Sequence, residues 1–119
     1  MNRTAATPTR SAASVGAAAL YVDLAPNGLK LSHGAWERLG RPRSVRLAAD
    51  DFRGEIAIEA TSLGDAFFVS PDSWRRQAYL VDCRDFLEEH GLTPHSHRPR
   101  NPARWVAAER QIVFCPQRR

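Results

Sequence analysis

Lysine is almost missing from this chain. Of 17 cationic residues in 119, Lys30 is the one lysine and the others are arginine. Cysteine is scarce too: Cys83 and Cys115 stand alone. Two isolated cysteines make no disulfide framework, so a reduced, cytoplasmic setting is expected. No apolar run approaches the ~20 residues a membrane-spanning helix needs, which excludes such a helix. No Cys-x-x-Cys or His-x-x-x-His spacing is present, so no structural zinc site is expected. No catalytic motif stands out, and neither an enzyme activity nor a cofactor is expected.

What is present suits one small domain. The apolar fraction of 43% is ordinary for a globular chain, and 119 residues allow a single modest core. The net charge is +4 and the pI about 9.8. Heavy Arg and Ala usage fits a GC-rich genome. It also fits an anionic partner, because guanidinium forks match phosphate and carboxylate. Residues 1–18 contain no acid and are rich in Ala, Ser, Thr and Arg. They share the composition of a transit peptide and are read as a disordered arm, with Arg3 and Arg10 available to a partner.

From residue 19 onward the pattern alternates strands with two short helices. Residues 19–24 read as a strand, Ala25-Pro26-Asn27-Gly28 as a turn, and residues 29–31 as the returning strand. Ser32 is the expected cap of a helix over residues 33–39, which Gly40 ends and Pro42 keeps from resuming. Residues 44–48 and 55–60 read as strands, with Ile56 and Ile58 inward. Residues 66–69 give a short strand, 70–73 a turn, and 77–81 another strand. Asp82 is the expected cap of a second helix over residues 83–90, with Phe86 and Leu87 inward and Gly91 as its stop. Residues 93–102 read as loop. Strands over residues 105–107 and 111–114 close the chain.

The second half echoes the first. Leu31-Ser32 answers to Val81-Asp82, and Trp36 to Phe86. The Leu39-Gly40 stop answers to His90-Gly91, and two strands follow each stop. The expected fold is α+β: a small, twisted, barrel-like set of short strands with two short helices. It is built as two pseudo-repeats over residues 19–60 and 66–115, since one such unit cannot bury both faces of so few strands.

Residues 21–60 resemble the AbrB/MazE/SpoVT swapped-hairpin family. The matching pieces are Val22-Asp23-Leu24, the Asn27-Gly28 turn, Leu29-Lys30-Leu31-Ser32, Ala35-Trp36-Glu37-Arg38-Leu39-Gly40, and the strands at Val45 to Leu47 and Ile56 to Ile58. The likeness is strongest to AbrB-like proteins of actinobacteria and their phages. It implies interleaved hairpins that bind DNA, as a transition-state regulator or as the DNA-binding part of an antitoxin. Here one chain would form the pseudo-dimer that others build from two copies; a homodimer is the alternative. Leu29 and Ser32 depart from the family, which usually has Arg and Pro at those places.

The expected function is therefore a DNA-binding regulatory protein, with Arg38, Arg41, Arg43, Arg75, Arg76, Arg98 and Arg100 on double-stranded DNA phosphates. From residue 92 to the C-terminus there are six arginines against one acid, Glu109. A protein-binding adaptor, such as an antitoxin or phage inhibitor, is the alternative, and a phage structural or accessory protein a third. Smaller constellations have plainer readings. His95 and His97, with His90 and Cys115, read as a polar loop rather than a metal site, and Cys83 as a small buried residue. Asp50-Asp51 and Glu88-Glu89 read as a turn and a helix face. Trp36 and Trp105 are expected in the core, and Trp74 on the surface, where it could stack on a base.

Overall fold

Alternation writes the first hairpin. In β1 (Tyr21–Ala25) Val22 and Leu24 point inward, and in β2 (Gly28–Leu31) Leu29 and Leu31 do. The computed structural model describes residues 19–62, 66–73 and 78–119. After β2 comes helix α1 (His33–Arg38), then β3 (Ser44–Asp50) and β4 (Glu55–Ala60). The second half supplies β5 (Phe67–Ser73), β6 (Ala78–Asp82), α2 (Arg84–Glu89), β7 (Arg100–Val106) and β8 (Gln111–Phe114). The eight strands close an antiparallel barrel in the order β1-β2-β6-β5-β3-β4-β8-β7. Hairpins from the two halves thus alternate around it. The core fills the inside with Val22, Leu29, Leu31, Val45, Ile56, Ile58, Val81, Ile112 and Phe114, each 3% exposed or less. Burial of this apolar lining is what offsets the chain entropy of closing the barrel.

The junction of the halves is tight. Gly28 pairs with Asp82 and Leu29 with Val81. A Cβ placed on Gly28 would overlap the backbone carbonyl of Val81, so the two strands approach at a distance that suits glycine alone.

Ser32 ties α1 to the barrel. Its Oγ accepts from the amide of Ala35 at 3.2 Å and from that of Tyr21 at 3.2 Å, and donates to the carbonyl of Ala19 at 2.8 Å. It therefore satisfies one orphan donor of the helix and two groups of β1's entry at once. Ala35 and Leu39 face the core, and Gly40 leaves the helix at φ +91°. Strand directions place α1, the 107–110 turn and the start of β3 at one end of the barrel. They place α2, the 26–27 and 51–54 turns and the C-terminal segment at the other.

Four local expectations are corrected. Residues 70–73 continue β5, and a register shift between Pro71 and Ser73 absorbs the proline, which has no ladder donor. Asp82 is the last residue of β6, claimed by its pairing with Gly28. Cys83 precedes the helix without a side-chain cap bond. Strand β7 starts at Arg100, well inside the expected loop. Fully buried Asn101 anchors it there, donating to the Arg98 carbonyl at 3.1 Å and accepting from the Gln117 amide at 3.0 Å. Trp36 is not in the core cluster but lies half-buried outside it, stacked on Tyr79. The expected arm over residues 1–18 falls outside the described residues.

Replacing Gly28 by alanine is expected to lower stability by roughly 1–3 kcal/mol or more, since the added methyl meets backbone. Urea unfolding followed by circular dichroism checks this, and an unchanged midpoint would contradict the close approach.

Candidate nucleic-acid interface

Three exposed arginines share the α1 end, two from α1 and its connection to β3 and one from the distant β7–β8 turn. Arg38 lies in the last turn of α1, its guanidinium 5.8 Å from the Trp105 ring of β7. Arg43 precedes β3. Its carbonyl accepts from the amide of Val69 at 2.9 Å while its side chain faces solvent. Arg110 sits in the β7–β8 turn at φ +56°. None of the three has an ion-pair partner among the described residues. Exposed guanidinium groups without carboxylate partners remain available to phosphate.

Arg41 stands beside them but is already engaged. Its Nη2 lies 2.7 Å from Glu37, and its guanidinium 5.8 Å from the Trp36 ring. The Arg41 hydrogen bond, with His33 nearby, holds the Glu37 carboxyl below its ordinary pKa. Trp36 stacks on Tyr79 with ring centroids 3.9 Å apart, and its indole N–H donates to the Pro42 carbonyl at 3.2 Å. The Tyr79 hydroxyl and His33 Nδ1 are 3.1 Å apart. This stack braces α1 against β6. On the barrel wall Arg46 pairs with Glu59. Gln111 first and Arg46 second hold the Glu59 carboxyl low.

The expected set of seven arginines is divided. Arg38, Arg41 and Arg43 are at the α1 end. Arg98 and Arg100 are at the α2 end, where Arg98 is tied through its backbone to Gln117. Arg100 holds Asp23 with two bonds of 2.9 and 3.0 Å and lies 3.9 Å from the Tyr21 ring. Arg75 and Arg76 lie outside the described residues, as do Trp74, Arg3 and Arg10. Sequence reasoning placed Arg110 with the C-terminal arginines. Its turn is the counterpart of the 51–54 turn, and the strand order carries it to the opposite end.

The remaining titratable groups have local roles. His97 is buried, its Nδ1 2.7 Å from the Ser96 hydroxyl. Burial, then Arg118, lowers its pKa. The His90 ring lies against Phe86, centroids 4.5 Å apart. Among the described residues no three His, Cys, Asp or Glu side chains gather to hold a metal. Cys83 is 1% exposed, and burial pushes its thiol up to about 12, the opposite of an activated nucleophile.

No protein-family model, curated protein or solved structure matches this chain. Among the described residues no helix is long and apolar enough to cross a membrane.

Under native conditions at pH 8, a thiol reagent such as dithionitrobenzoate is expected to modify exposed Cys115 and spare Cys83. Denaturant should release the second equivalent. Two fast equivalents from the native protein would contradict the burial of Cys83.

Proposed function

We propose that this chain is a cytoplasmic, non-enzymatic DNA-binding regulator of AbrB-like type, built as a pseudo-dimer from one chain. The observation that carries the reading is the strand order. Each half contributes hairpin, helix and hairpin, and the hairpins of one half are separated around the barrel by those of the other. The pairings fit a two-fold arrangement of repeats. Lys30 faces Leu80, fifty residues on, where β2 crosses β6. Ala57 faces Val113, fifty-six residues on, where β4 crosses β8. The difference accumulates between helix and following strand, a segment that is longer in the second half.

Two departures from the resembled family fit a displaced contact surface. Leu29 is fully buried, and Ser32 is spent on capping. Neither place faces a ligand, so phosphate contact moves to Arg38, Arg43 and Arg110 at the α1 end. Positive charge near a duplex gains affinity by releasing condensed counterions, which makes the binding salt-dependent.

Fluorescence anisotropy of a labelled duplex across a salt series tests this. Affinity is expected to fall steeply with salt. The triple variant Arg38→Ala/Arg43→Ala/Arg110→Ala should reduce the logarithmic slope by roughly 0.9 for each phosphate it no longer neutralises. Arg98→Ala should leave the slope unchanged. Absence of salt-sensitive binding at low ionic strength would overturn the reading in favour of a protein-binding adaptor.

A further inference from the structure

The α2 end of the barrel carries a knob and a groove. The knob is the 51–54 turn. Phe52 at its tip is 97% exposed, a large apolar side chain left wholly in water. Asp51 precedes it and has no ion-pair partner among the described residues, whereas Asp50 holds Arg53 at 3.9 Å. The groove, of about 740 Å³, lies between the β1–β2 hairpin, α2 and the loop that follows α2. Leu24, Ala25, Leu87 and Leu92 form its apolar floor; Lys30, Arg84 and Glu88 stand on its rim, where Arg100 and Asp23 hold each other. Arg84 is exposed and, like Asp51, has no ion-pair partner among the described residues. Leu92 lines both this groove and a smaller hollow of about 210 Å³ bordered by Asp50, Asp51 and Gly54, so knob and groove are neighbours at the same end of the barrel.

An apolar tip beside an unpaired carboxylate is complementary to an apolar floor beside an unpaired guanidinium. Because one chain carries both, the two surfaces are self-complementary. Since both lie at the same end of the barrel, a two-fold axis between two such ends closes the contact, each copy giving its knob and receiving its partner's, where a head-to-tail arrangement would leave an open chain. We propose that two copies of this chain associate through their α2 ends, Phe52 of each entering the groove of the other, with Asp51 meeting Arg84. The occupant is a second copy rather than a small molecule because the exposed turn answers the apolar floor with Phe52 and the unpaired Arg84 with Asp51. Burying an aromatic anchor at the centre of a small interface supplies most of such an affinity, and the charge pair sets register. The α1 ends then face outward, so this contact does not depend on the DNA-binding reading.

Light scattering of the full chain over a concentration series tests the proposal. The mass should rise from 13.3 kDa towards twice that value. Phe52→Ala and Arg84→Asp should each weaken dimerisation by at least about tenfold. Asp51→Arg combined with Arg84→Asp should restore it. Phe52 and Arg84 are exposed, so far-UV circular dichroism should remain native in every variant. Duplex binding by Phe52→Ala should equal that of the parent, which separates this contact from the α1 end. A mass fixed at 13.3 kDa would overturn the proposal, as would a dimer indifferent to Phe52→Ala or a charge swap that fails to restore association. Monomers whose groove takes up anilinonaphthalene sulfonate in an Arg84-dependent way would assign it to a small anionic amphiphile instead.

Discussion

The halves of this molecule meet along four seams around the barrel, and the structure depends most on two of them. At one, Gly28 and Leu29 of β2 lie against Asp82 and Val81 of β6. At the other, Ile56 and Ile58 of β4 lie against Phe114 and Ile112 of β8. The first demands a residue with no side chain at Gly28. The second is a wall of buried branched and aromatic residues, each 3% exposed or less. Neither half has a closed sheet without the other, because strands of the other half intervene between its two hairpins. The barrel has no free edge, which removes the usual risk of edge-to-edge aggregation.

This order also decides what meets what on the surface. The helices follow β2 and β6, whose antiparallel pairing sends them to opposite ends. Arg38 and Arg43 are thereby joined by Arg110 from far along the chain, while Arg98 and Arg100 are carried away from them. Among the described residues Arg38, Arg43 and Arg110 have no ion-pair partner, whereas Arg100 is held by Asp23 and Arg41 by Glu37. Exposed pairs of this kind contribute little stability, so their consequence is chiefly which guanidinium groups remain available.

Much of this was legible in the sequence, and the exceptions share a cause. Alternation at Ile56 and Ile58, the Ser32 cap, the Gly40 and Gly91 stops and the strand at Gln111–Phe114 all depend on local chemistry, and all are found. Pro71 inside β5, Asn101 inside β7 and the loss of Asp82 to β6 depend on partners far along the chain. A proline is tolerated where a register shift relieves it, and a buried Asn where Arg98 and Gln117 satisfy it. Trp36 followed its own rule: Tyr79 offers it a stacking face outside the core. For the candidate site, Arg38 and Arg43 were legible beside the helix. Arg110 was not, because only the strand order shows which end its turn occupies.

In the proposed function a duplex meets the α1 end of this barrel through Arg38, Arg43 and Arg110. Two-dimensional NMR of the isotopically labelled chain, titrated with a short duplex, tests this most directly. Shifts are expected to concentrate at Arg38, Arg43, Arg110 and the Trp105 indole, and to reverse on adding salt. Shifts centred on α2 and the C-terminal segment, or none at low ionic strength, would contradict it.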